Sequence, residues 1–142
     1  MVVNIRDAYV ADIDAMHWVR NSVRENRLSD RTNITESSYL PYIEHGSAWV
    51  AENDRGVAGF AAVDVRTNNV WALFVHPDFE SAGIGRALHD KMIGWAREQG
   101  IDQLTLSTQQ ASRAARFYSE AGWTQVRITN DGEAFFQRRL KD

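Results

Sequence analysis

The residues best placed to do chemistry follow the apolar run Val70 to Val75, where His76-Pro77 interrupts it and Gly83-Ile84-Gly85-Arg86 comes soon after. Six consecutive apolar residues are too few for a lone helix and fit a strand buried on both faces. Pro77 has no amide proton and ends the ladder. Gly83 and Gly85 carry no Cβ, so the backbone can turn sharply and lie close to a ligand, while the free N–H groups of the next helical turn point outward. The partial positive charge at a helix start attracts anions, and Arg86 adds a full one. The chemistry implied is the holding of a diphosphate at a strand-to-helix junction. A tight turn with no ligand uses the same residues, so the glycines alone leave both readings open.

Spacing removes the common nucleotide motifs. A P-loop needs Gly-Lys-Ser/Thr, and no Lys follows Gly85. A dinucleotide fingerprint needs a third glycine where this chain has Leu88. His17, His45, His76 and His89 are scattered without paired spacing, and there is no cysteine, so no metal site is expected.

The stretch Val75-His76-Pro77 followed by Glu80-Ser81-Ala82-Gly83-Ile84-Gly85 resembles the acetyl-coenzyme-A signature of the Gcn5-related N-acetyltransferases, Gln/Arg-x-x-Gly-x-Gly/Ala after a strand ending in Val-x-Pro. A second element, Ala114-Ala115-Arg116-Phe117-Tyr118-Ser119-Glu120-Ala121-Gly122-Trp123, is similar to the family's Ala-x-x-Phe-Tyr-x-x-x-Gly-Phe. The resemblance is strongest over residues 70–140 and architectural before that. It implies acetyl transfer from acetyl-coenzyme A to the primary amine of a small molecule or peptide, by direct attack in a ternary complex and without a metal. It further implies that backbone groups of Leu73, Phe74 and Val75 hold the pantetheine arm in a splay between the fourth and fifth strands. The pyrophosphate would rest on the amides of Ser81, Ala82, Gly83, Ile84, Gly85 and Arg86. Tyr118 takes the family's general-acid position: a phenol with a pKa near about 10 stays protonated at neutral pH and can donate to a departing thiolate. Packing against the sheet is the other use for such a tyrosine.

Two positions depart from the family's pattern. Glu80 stands where Gln or Arg is usual, so it must point away or be paired, and Arg86 could compensate its charge. Ala111 replaces a frequent Asn and loses a contact to the pantetheine. The general base is left open among Asp64, Glu52 and an ordered water, either carboxylate serving equally well as a solvated strand residue. The missing base keeps a non-catalytic acyl-coenzyme-A sensor as an alternative.

These residues need a scaffold, and the periodicity supplies one. Val2 to Arg6 reads as a first strand, and Asp12 as the N-cap of a helix with Ile13, Met16, Val19 and Val23 on its apolar stripe. Thr35 to Glu44 suggests a second helix that Pro41 would kink. Strands at Ala48–Glu52, Val57–Val65 and Val70–Val75, joined by short turns, form an antiparallel meander. A long helix from Ile84 to a C-cap at Gly100 leads to a fifth strand around Leu104 and Leu106, parallel to the fourth. Helix Gln110–Ala121 and a hairpin of Trp123–Thr129 with Ala134–Leu140 complete the chain. The expectation is a single α/β (α+β) domain over residues 1–142, with a mixed, mostly antiparallel sheet of about seven strands flanked by about four helices.

Acceptor recognition falls to the N-terminal helices. Arg20, Arg24, Arg27 and Arg31 share one face if the first helix extends that far, and suit either a carboxylate on the acceptor or a solvated stripe paired with Glu25 and Asp30. Asn26 and Glu25 are further candidates, as are the aromatics Tyr39, Tyr42 and Trp49, which line a pocket or simply pack. A net charge of −3 argues against nucleic acid as partner. No signal-like segment and no apolar run near about 20 residues points to a membrane, so the expected location is cytoplasmic. Relatives of this kind often form dimers, and the Phe135-Phe136 strand would serve as an edge contact in a homodimer.

Overall fold

The computed structural model describes residues 3–23, 34–80 and 82–140. The strands are β1 (Asn4–Asp7), β2 (Ala48–Asn53), β3 (Gly56–Asp64), β4 (Asn69–Val75), β5 (Gln103–Gln109), β6 (Thr124–Ile128) and β7 (Glu133–Arg139). The helices are α1 (Ile13–Ser22), α2 (Leu40–Glu44), α3 (Ile84–Glu98) and α4 (Arg113–Glu120). One seven-stranded sheet runs β1-β2-β3-β4-β5-β7-β6, antiparallel throughout except for β4 beside β5. Among the described residues the mixed seven-stranded sheet with four α-helices is the architecture expected from the sequence.

Side-chain alternation along the strands builds two cores, one on each face. Trp49 and Ala51 of β2, Ala61 and Val63 of β3, and Leu104 and Leu106 of β5 meet Ile84, Leu88 and Met92 of α3. Val50, Phe60, Ala62 and Ala72 point the other way, against Ile13, Met16 and Val19 of α1 and Tyr39. Gly59 allows the first layer to close. A Cβ there would lie 2.8 Å from the Phe74 carbonyl oxygen and 3.1 Å from Leu88 Cδ1.

Several local expectations are corrected. Asp12 occupies the N-cap position of α1 as expected, but its side chain makes no cap bond to that helix. Its carboxylate accepts the Tyr9 N–H at 2.7 Å and the Arg6 guanidinium at 2.9 and 3.0 Å, tying β1 to a 3-10 turn at Val10–Asp12 that precedes the helix. Pro41 starts α2 rather than kinking it, because a 3-10 turn at Glu36–Tyr39 takes up the residues before it. Helix α4 begins three residues later than expected, at Arg113, since Ala111 is left-handed (φ 55°) and Ser112 Oγ caps by accepting the Ala115 N–H at 3.0 Å. Phe135 and Phe136 are not on an edge strand: β7 pairs with β5 on one side and β6 on the other, and Phe136 is buried in the core. The hairpin folds its second strand inward, so that β6, exposed along its length, takes the edge.

Candidate active site

The site grows from an inequality between the two edges of β4. Toward β3 the strand makes six register pairs, from Asp64↔Asn69 to Gly59↔Val75. Toward β5 it makes one, Asn69↔Thr105, clipped by Asn69 Nδ2 donating to Thr105 Oγ1 at 3.0 Å. Beyond that clip the two parallel strands separate. Within β4 the pairing steps from Ala62↔Ala72 to Val63↔Val70, leaving Trp71 as an extra residue in a bulge at the point of separation.

Register decides which backbone groups face the gap. His76 N–H donates to Ala58 O at 2.8 Å, so alternate residues Phe74 and Ala72 exchange hydrogen bonds with β3 while Leu73 and Val75 turn their N–H and C=O toward β5. Of Leu73, Phe74 and Val75, the first and third present backbone groups to the opening, and Phe74 contributes its ring. A cleft of about 800 Å³ occupies the opening, lined by β4, β5, α4, the start of α3 and Arg20 of α1.

At one end of this cleft lies the glycine turn. Gly83 is the N-cap of α3 with φ 80°, a left-handed conformation that favours glycine, and no side chain caps the helix. Among the described residues no acceptor takes the N–H groups of Ala82, Gly83, Ile84, Gly85 or Arg86. Ser81 lies outside the described residues. Gly85 differs from Gly83, since a Cβ at this position would meet Val75 Cγ2 at an ordinary 3.6 Å. Among the described residues nothing therefore requires glycine at position 85.

Arg86 does not compensate Glu80. It runs along α3 to Asp90 at 3.3 Å, and Glu80 instead pairs with Arg113 at the start of α4. Arg113 belongs to no motif, and its place at the site follows from topology. The connections β4-to-α3 and β5-to-α4 both leave the carboxyl ends of adjacent parallel strands, so the residues opening the two helices must face one another across the crevice.

Tyr118 lines the cleft from α4, with its ring among Phe117, Trp123 and Phe136. Burial pushes its phenol well above the usual range, and no described residue hydrogen-bonds its hydroxyl. The group is held protonated, with a donor to spend on whatever enters. The base candidates lie elsewhere. Glu52 pairs with Arg6 at 3.2 Å and Asp64 with Arg66 at 3.2 Å, and neither lines the cleft.

His76 and His89 are engaged within the fold. His76 Nδ1 accepts the Asp78 N–H at 3.1 Å, and its ring stacks on Trp18 at 4.1 Å. His89 accepts Trp123 Nε1–H at 2.9 Å on Nε2 and reaches Asp90 through Nδ1 at 3.1 Å, and burial pushes its pKa down. Among the described residues no group of His, Asp and Glu could hold a metal ion.

At the other end, Arg20 is buried with its guanidinium 4.7 Å from the Trp71 ring centroid and 5.0 Å from that of Phe74. Tyr42 stacks on Trp71 at 4.3 Å. Tyr39 is wholly buried beneath and hydrogen-bonds His17 at 2.9 Å, while Trp49 faces α3 and packs on Trp95, so neither lines the cleft. Arg24, Glu25, Asn26, Arg27, Asp30 and Arg31 lie outside the described residues. Among those described, no helix is long and apolar enough to cross a membrane.

Comparison with known proteins bears on the family and the fold. The model of the acetyltransferase (GNAT) domain matches residues 44–125. A mycothiol acetyltransferase from Beutenbergia cavernae is 29% identical over 86 residues, covering 56% of this chain and 29% of that protein. Matches to the curated relatives span only 19% to 57% of those proteins' lengths. Among solved structures, Ard1 from Thermoplasma volcanium superposes with a TM-score of 0.83 at 19% identity over 100% of both chains. YncA from Salmonella typhimurium, solved with its cofactor acetyl-CoA, does so at 0.77 and 23% identity, covering 100% of this chain and 96% of that one. At such identities the structural likeness is one of fold.

Proposed function

We propose that this chain, which belongs to the GNAT family of acetyltransferases, moves an acetyl group from acetyl-coenzyme A to a primary amine on a small molecule or peptide, by direct attack while both are bound. The observation that carries this reading is the open edge of β4 running toward a helix start whose amides have no described acceptor. Few other ligands need both features at once: a long arm with amides to pair with a strand edge, and a diphosphate to sit on backbone N–H groups.

In this reading Leu73 and Val75 orient the pantetheine arm through their backbone groups, Phe74 lines it, and the amides of Ser81, Ala82, Gly83, Ile84, Gly85 and Arg86 hold the pyrophosphate. The coenzyme supplies the acetyl thioester. Backbone N–H groups at the β4 edge polarise the carbonyl under attack, and Tyr118 Oη donates its proton to the departing sulfur. Trp71, Phe74 and Arg20 form the acceptor end. The amine must arrive neutral, and an ordered water is the remaining candidate for taking its proton, since Glu52 and Asp64 are engaged with arginines away from the cleft.

The displacement of both carboxylates also favours a second reading, an acyl-coenzyme-A sensor that binds without turnover. Following free thiol while the protein meets acetyl-coenzyme A and a panel of amines separates the two. Thiol release with at least one amine is expected. Saturable coenzyme binding with no release on any amine favours the sensor, and a thermal shift of zero with acetyl-coenzyme A overturns both.

A further inference from the structure

The ion pair between Glu80 and Arg113 is left unused by that reading. Glu80 follows the 3-10 turn Pro77–Phe79 that ends β4, and Arg113 is the first residue of α4, so the pair spans the two connections that bound the cleft. Both residues line it. Among the described lining residues Glu80 is the only carboxylate, against the cations Arg20, Arg86 and Arg113. Glu80 lines the same cleft as Gly83, Ile84, Gly85 and Arg86, so a phosphate held by that helix start would lie within the roughly 8–10 Å over which charges in salt solution still act on each other. A negative side chain at an anion-holding helix start works against the ligand, unless its charge is spent elsewhere. Here it is spent on Arg113.

We propose that Glu80 is a counter-anion built into the coenzyme site: it holds Arg113 while no phosphate is bound, and competes with the phosphate-bearing end of the coenzyme for that guanidinium. The inference rests on the coenzyme reading above. A guanidinium presents the same forked donors to a carboxylate and to a phosphate, so Arg113 can exchange one for the other without repacking α4. The exposure of both side chains, 68% for Arg113 and 30% for Glu80, keeps the pair wet and cheap to break. Exchange leaves Glu80 beside a second anion, so the site binds the coenzyme less tightly than its amides alone would allow. Glu80 is thereby a specificity-determining residue for the phosphate end and indifferent to the arm.

Titration with coenzyme A and, separately, with pantetheine, which lacks the phosphates, tests this. Glu80→Gln keeps the side-chain shape and removes the charge. It is expected to tighten coenzyme A by about threefold to tenfold and to leave pantetheine unchanged. Arg113→Gln should weaken coenzyme A by about tenfold, and the gain from Glu80→Gln should shrink in that background. Weaker or unaltered coenzyme A binding by Glu80→Gln overturns the inference, as does an equal shift with pantetheine. A wild-type protein that binds neither probe defeats the coenzyme reading itself, a result distinct from wild-type binding with unresponsive variants.

Discussion

The two edges of β4 carry the same residues and meet opposite fates. On the β3 side every register position from Asn69 to Val75 except the bulged Trp71 is paired, and Gly59 lets Leu88 press against the ladder. On the β5 side pairing stops after Asn69, so Leu73 and Val75 point amide groups into a cleft. The saturated edge makes the strand rigid, and that rigidity allows the other edge to stay open without fraying. Unpaired backbone groups at the margin of a packed sheet are costly in a fold and useful in a binding site.

The difference can be broken from either side. Filling the space at Gly59 with valine drives a Cβ into the Phe74 carbonyl, 2.8 Å away, and should lower stability by about 3 kcal/mol in urea denaturation. An unchanged midpoint would mean that the closed edge tolerates parting. On the open side, Tyr118→Phe should reduce turnover by about 100-fold with coenzyme affinity held within about twofold. Equal losses in both would assign Tyr118 to packing. Because burial raises the phenol, this group should cause no alkaline loss of activity below about pH 10, and a decline near pH 8 would point to another acid.

Smaller changes sharpen the contrast. Asn69→Ala removes the 3.0 Å bond to Thr105 that marks where the strands part, with an expected cost of about 1 kcal/mol. If stability is unaltered, the single backbone register pair suffices as the clip. Ala111→Gly, in the connection leaving the open edge, relieves a left-handed alanine and should raise stability by about 0.5–1 kcal/mol. A fall in the melting temperature would show that this conformation costs nothing.

The elements were largely legible because their signals are local. The apolar run at Val70–Val75, the turn at Asn130–Gly132 and the helical stripe through Ile84, Leu88 and Met92 each state their own period. Boundaries shifted where a cap or a turn competed with periodicity, as at Ser112 and Pro41. The failures were of contact. Glu80 could be flagged as needing a partner, yet Arg113 lies 33 positions further along the chain, and only the parallel course of β4 and β5 brings the two together. Glu52 is paired by Arg6, 46 positions away, which only the sheet brings near, whereas Asp64 is paired locally by Arg66.

By itself the sequence determined the period of each element, a glycine pair at positions 83 and 85 in a strand-to-helix turn, and a phenol in the helix motif Ala114–Trp123. Tertiary structure decided which edge of β4 stays open, which charges are already spent, and that the Phe135-Phe136 strand lies inside the sheet. The division has a physical cause. Backbone conformation and hydrophobic period are read within a few residues, whereas pairing, burial and charge compensation depend on groups that only the folded chain makes neighbours.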